Sequence, residues 1–113
     1  MDESVQGDWH FAGVVGDFED EDVEQLKVGP LAIAVYRAKG EFYATQDRCS
    51  HTGWPLSDGG ELIGNSVTCP LHYWCFNVIT GAVMRGIASL KLRTYRVTVE
   101  GDIAHVEDGA SSI

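Results

Sequence analysis

Residues 49–76 read CSHTGWPLSDGGELIGNSVTCPLHYWCF. Cys49-Ser50-His51 opens this stretch and Cys69-Pro70-Leu71-His72 follows, giving Cys-x-His, seventeen residues, then Cys-x-x-His. Each short cluster offers one thiol and one imidazole, one or two residues apart, so both side chains of a pair can turn toward the same point. Two such loops brought tip to tip supply four metal donors. The intervening segment, from Arg48 to Val67, is rich in Gly, Ser, Asp and Pro and has little periodicity. A loop of that length inside a small domain needs an ordering reason, and a bound metal would provide one.

Two arrangements fit Cys49, His51, Cys69 and His72. A single zinc ion takes two cysteines and two histidines tetrahedrally. A two-iron, two-sulfide cluster takes both cysteines on one iron and both histidines on the other. Ligand types alone do not choose between them. Their order points one way: zinc knuckles usually pair Cys with Cys and His with His along the chain, whereas each loop here carries one of each, as expected of loops that straddle two metals.

Outward from this stretch the chain reads as strands. Runs rich in Val, Ile, Phe and Tyr recur at 9–15, 31–37, 41–46, 66–69, 76–84, 93–100 and 103–107. Several alternate apolar with polar positions, as half-buried strands do. Ala38-Lys39-Gly40 and Glu100-Gly101-Asp102 predict tight hairpin turns. The fold class is therefore all-β and antiparallel. Asp17 to Gly29, DFEDEDVEQLKVG, is the one candidate for helix, and its apolar Phe18, Val23 and Leu26 support only a helical turn or a loop.

The length of 113 residues fits one domain, spanning 1–113. Eight basic and seventeen acidic residues give a net charge of -9, which would repel a nucleic-acid backbone or an anionic lipid surface. Neither nucleic acid nor membrane is an expected partner. The first residues, MDESVQGDWHF, are acidic and polar where a secretory signal needs a positive end and about 7 to 15 apolar residues. No stretch approaches the roughly 18 apolar residues of a membrane span. These features predict a soluble, cytoplasmic protein, in which three cysteines argue for metal or redox chemistry over a disulfide framework.

The stretch 49–81 resembles the cluster-binding region of Rieske-type ferredoxins, the small electron carriers of bacterial aromatic-ring-hydroxylating dioxygenase systems. EFYATQDRCSH before it, LSDG within it and TYRVTVEGD after it fit the same family in the same order, so the likeness covers roughly residues 9 to 107. It implies an antiparallel β-sandwich with a small two-loop cluster-binding subdomain at about 47–86. It further implies one [2Fe-2S] cluster per chain, with Cys49 and Cys69 on the buried iron and His51 and His72 on the outer iron. The implied activity is one-electron transfer from a flavin-containing, NAD(P)H-dependent reductase to a terminal oxygenase, by a monomer that transforms no substrate. A small Rieske-like subunit of an NADH-dependent nitrite reductase and a structural zinc module are the rival readings.

Departures from the family pattern carry information too. Respiratory-complex relatives have an extra cysteine in each loop and a serine two residues after the second histidine, where this chain has Trp54, Leu71 and Trp74. Fewer hydrogen bonds to the cluster sulfurs imply a potential toward the low end of a range of about -150 to +300 mV. Thr52 and Tyr73 replace the glycine common after each histidine, and Ile87 replaces a proline common in the flap 84–91. Among the other candidates, Cys75 reads as a small buried or half-buried hydrophobe and Trp9 as core. Trp54 and Trp74 read as shields for the cluster, with a partner surface as the alternative. His10 and His105 read as ordinary strand residues, so a mononuclear iron oxygenase site, with two further histidines and a carboxylate, is not expected unless those two and a distant acid converge. The acidic run Asp17, Glu19, Asp20, Glu21, Asp22 and Glu24 reads as a solvated face that could steer a basic partner.

Overall fold

In the computed structural model, which describes residues 8–110, every regular element is a strand except a 3-10 turn at Val15–Asp17. The strands are β1 Trp9–Val14, β2 Val23–Val28, β3 Leu31–Ala38, β4 Glu41–Gln46, β5 Glu61–Ile63, β6 Ser66–Thr68, β7 Cys75–Asn77, β8 Val83–Arg85, β9 Thr94–Glu100 and β10 Ile103–Ala110. They form two antiparallel sheets, one of six strands in the order β1-β10-β9-β4-β3-β2 and one of four in the order β5-β6-β7-β8. The all-β expectation is thus met. No helix among the described residues is long and apolar enough to cross a membrane.

Strand β3 explains how the sheets meet. Its sequence, LAIAVYRA, lacks polar alternation because both faces are covered. Ala34, Tyr36 and Ala38 pack with Leu62, Val67, Phe76 and Val78 of the small-sheet region, whereas Ile33 and Val35 pack with Phe42, Ala44, Tyr95 and Val106 of the large sheet. Cys49 and Cys69 belong to the first of these cores. The phenol of Tyr36, fully buried there, bonds the Thr45 hydroxyl at 2.8 Å, and burial pushes its pKa well above the ordinary tyrosine value.

Both predicted hairpin turns are present. Ala38 pairs with Glu41 across Lys39 and Gly40, which both take positive φ (53° and 82°), as a type I′ turn requires. Glu100 pairs with Ile103 across Gly101-Asp102.

Three expectations are corrected. The second half of the acidic segment, Val23–Val28, forms strand β2 rather than a helical turn or a loop, because Leu26 and Val28 lie two apart and pack on the large-sheet core while β3 supplies the full ladder; residues 18–22 are loop, as expected. The run 76–84 is two strands, since the Asn77 side chain accepts the Ile79 and Thr80 amides at 2.8 and 3.2 Å and Gly81, at φ 79°, turns the chain back. Trp9 is surface, not core: on edge strand β1 it is 45% exposed and carries the Arg96 guanidinium 5.8 Å from its ring. Beneath that pair Arg96 Nη2 meets the buried Glu107 carboxylate at 2.6 Å.

The acidic run is solvated, as expected. Asp20 accepts the Gly40 amide at 2.8 Å, which places the run at the turn end of the β3–β4 hairpin, while β4 runs from that turn toward Asp47 and the first cysteine loop. A strand of that length spans roughly 17–20 Å, which separates the run from the first cysteine loop.

Candidate metal centre

Two loops with matching backbone bonds project from the small-sheet end of the molecule. In the first, the N–H of Cys49 donates to the carbonyl of Trp54 at 2.9 Å, and in the second the N–H of Cys69 donates to that of Trp74 at 2.9 Å. Each bond spans five residues and curls the chain around its cysteine. The tight curl forces positive φ at Gly53 (76°) in the first loop and at His72 (66°) and Tyr73 (60°) in the second. Tyr73 therefore adopts a conformation that glycine takes more easily, at the position where the sequence departs from the common glycine.

The loops bring the four sequence-predicted side chains together in two layers. Cys49 and Cys69 are 2% and 0% exposed, both unoxidised, with their thiols within hydrogen-bonding reach of each other. His51 and His72 are exposed, their rings edge to face at 5.4 Å between centroids. Among the described residues no group of three or more His, Cys, Asp or Glu side chains is gathered tightly enough to hold one metal ion. Soft sulfur donors inside and imidazoles outside suit a cluster of two metals, one end of it buried and the other at the surface.

Thr52 links the two loops at the sulfur layer. Its Oγ1 lies 3.5 Å from the Cys69 sulfur. Burial pushes the Cys49 thiol up, but the Thr52 side chain and the Thr52 and His51 amides more than offset that, leaving Cys49 below the ordinary cysteine value. Burial holds Cys69 above the ordinary value against the Thr52 hydroxyl, and the neighbouring Cys49 adds to the rise. Both must be thiolates to bind metal, so ligation displaces protons.

The first loop is braced from behind. Asp47, 1% exposed, accepts the Gln25 side-chain amide at 2.8 Å, the Ser57 amide at 2.8 Å and the Ser57 hydroxyl at 2.7 Å. Ser50 donates to the Leu90 carbonyl and so ties the loop to the flap, where Leu90 N–H also bonds Ile87 O at 3.0 Å. Neither Asp47 nor Ser50 stands out in the sequence, because their partners lie in distant strands and loops.

Of the two candidate shields, Trp74 lies against a predicted ligand. Its indole lies flat on the His51 imidazole, centroids 4.2 Å apart and planes 9° apart, a contact of the kind worth about 0.5–1.5 kcal/mol. Trp54 is 37% exposed and turns its indole N–H to the Asp58 carbonyl at 2.7 Å, within its own loop. Cys75 is half-buried, its sulfur 3.2 Å from the Thr68 hydroxyl across the β6–β7 pair. His10 bonds Asp108 at 2.8 Å. Phe11, next to His10, pairs with His105, so the two histidines point to opposite faces of the sheet and share no site.

Comparison with known proteins agrees with this geometry. A family model described as the Rieske [2Fe-2S] domain matches residues 8–96. The ferredoxin component of biphenyl 2,3-dioxygenase from Rhodococcus jostii (strain RHA1) is 39% identical over 99 residues, covering 86% of this chain and 92% of the relative. The ferredoxin component of the naphthalene 1,2-dioxygenase/salicylate 5-hydroxylase systems of a Ralstonia species is 37% identical over 92 residues, covering 81% and 88%. Among solved structures, a chain in the complex of reduced oxygenase and oxidized ferredoxin of carbazole 1,9a-dioxygenase superposes with a TM-score of 0.86 at 30% identity, covering 93% of this chain and 97% of that one. The ferredoxin of carbazole 1,9a-dioxygenase from Nocardioides aromaticivorans IC177 superposes with a TM-score of 0.78 at 26% identity, covering 86% and 96%. With two buried thiols and two surface imidazoles on paired loops, and a family match across most of its length, this chain belongs to the Rieske [2Fe-2S] domain family.

Proposed function

We propose that this chain is a one-electron carrier that holds its [2Fe-2S] cluster through Cys49 and Cys69 on the inner iron and His51 and His72 on the outer iron. The chain is read as a single domain, 1–113, with residues 47–86 as the cluster-binding subdomain. One observation carries the reading: the thiols are buried together while the imidazoles stand exposed, 5.4 Å apart, at the surface. When bound, the cluster supplies reversible uptake of a single electron. The protein keeps water from the sulfur ligands, orients the imidazoles and presents their edges outward, so that an electron crosses at the histidines.

Relatives that are ferredoxin components of biphenyl and naphthalene dioxygenase systems support a carrier between two partners. Electrons enter from a flavin-containing, NAD(P)H-dependent reductase and leave to a terminal oxygenase, in the cytoplasm, through a monomeric carrier. Exposed apolar side chains next to the histidines in the loops, Trp54, Leu71 and Tyr73, with Ile87 of the flap, suit a small redox encounter of less than about 1,200 Å². Release from such a surface is fast, as repeated turnover requires.

The purified chain should be red-brown, and its reduced form should show the paramagnetic signal of a histidine-ligated cluster. Redox titration should give one electron per chain. H51C and H72C should retain some cluster at a lower potential and pass electrons to an oxygenase more slowly. A colourless preparation containing zinc, or unchanged potentials in both variants, would overturn the reading.

A further inference from the structure

We propose that Trp74 is a positioning residue for His51, its indole plane setting the plane of the imidazole and thereby the direction of the ring nitrogen. The inference rests on the ligand assignment above. A histidine's second side-chain torsion lies in a broad well, so the backbone of the first loop leaves the plane of the ring loosely defined. The indole, 9° from parallel at 4.2 Å, removes that freedom. It comes from the second loop and the imidazole from the first, so the stack also braces one loop against the other.

Trp74 is itself held on several sides. Its carbonyl accepts the Cys69 amide at 2.9 Å, and its ring lies 6.3 Å from that of the buried Phe76. The flap passes it at Gly86, at φ 138°, where any Cβ would overlap the six-membered ring, coming within 2.8 Å of Cζ3 and nearer to its neighbours. The flap is thus bare of side chain where it crosses the indole. The ring of His72 meets that of His51 edge to face at 5.4 Å, and the stacked face of Trp74 lies on His51. The two imidazoles therefore depend unequally on Trp74.

That inequality gives a test on the intact, cluster-loaded chain. Pulsed electron paramagnetic resonance of the reduced protein reads the nitrogen hyperfine coupling of each imidazole, which depends on ring orientation at the metal. W74F keeps a flat aromatic face, and W74L keeps apolar bulk without one. The expected result is a shift in one of the two nitrogen couplings in W74L, the other unchanged, with W74F close to the parent. Cluster assembly in W74F but not in W74L would also support the proposal. A W74L spectrum superimposable on the parent, a W74F spectrum as shifted as that of W74L, or failure of both variants to assemble a cluster would overturn it. A parent spectrum without two nitrogen couplings would instead remove the ligand assignment.

Discussion

The hydroxyl of Thr52, on the first loop, lies 3.5 Å from the sulfur of Cys69, on the second. A donor aimed at a ligand sulfur stabilises the more negative, reduced state of a cluster. T52V should therefore lower the midpoint potential by roughly 20–60 mV, the one-electron equivalent of a hydrogen bond worth about 0.5–1.5 kcal/mol. T52S should hold it near the parent value. Protein-film voltammetry of the three proteins checks this, and an unmoved T52V removes Thr52 from the list of tuning groups.

Asp47 gathers three donors at a buried carboxylate immediately before the first loop. D47A removes three hydrogen bonds to a buried carboxylate, from partners that water can in part reach, so a loss on the order of 1–3 kcal/mol in total is expected. The urea midpoint should fall with an unchanged m-value, and visible absorbance should be lost along with the fold. If D47A unfolds at the parent midpoint, the carboxylate is not bracing the loop.

At Gly81 the chain takes φ 79°, and any Cβ would overlap the carbonyl oxygen of Leu92, which leads into β9. Leu92 N–H in turn donates to Gly81 O at 2.8 Å, so the close approach joins the β7–β8 turn to the large sheet. G81A must break that contact as well as strain its own backbone. A loss of at least about 1 kcal/mol is expected, which for a domain of this size lowers Tm by roughly 4 °C or more. Differential scanning calorimetry measures it.

Asp108 ties β10 to β1 through His10, 2.8 Å away, and through the Asp8 amide at 2.8 Å. The His10 hydrogen bond, followed by the Asp8 amide, holds the Asp108 carboxyl below its ordinary value. A carboxyl with a depressed folded-state pKa stabilises the fold above its unfolded pKa of about 3.9 and loses that contribution as pH falls through the lower value. Protection factors for amide exchange along β1, which are corrected for the intrinsic slowing of exchange in acid, should therefore fall below about pH 4 in the parent, whereas D108N should show no such step. Identical profiles for the two proteins would show that this carboxylate does not fasten the edge strand.

Much of this protein is determined locally. The spacing of Cys49, His51, Cys69 and His72 defines two short donor loops, since residues one to three apart must share a neighbourhood whatever surrounds them. Lys39-Gly40 and Gly101-Asp102 define hairpins because left-handed backbone is a property of a turn and its residues. Alternation in 41–46 and 93–100 defines half-buried strands, as the period of a strand is built into the chain. The strands of three residues in the small sheet were beyond that signal: β5, β7 and β8 are too short to display a period, and β2, VEQLKV, follows an acidic run and breaks its alternation with the adjacent polar pair Glu24 and Gln25.

Everything that joins distant segments was decided by the tertiary structure. Trp9 carries a core-like side chain, yet the edge position of β1 leaves it at the surface over Arg96. Thr52 reads as a lost glycine until the second loop places a sulfur beside its hydroxyl. The stacking of Trp74 on His51 crosses between loops 23 positions apart in the chain. Sequence proximity constrains which donors share a loop, but which atoms meet across loops depends on how two sheets close around β3, and no local pattern encodes that closure.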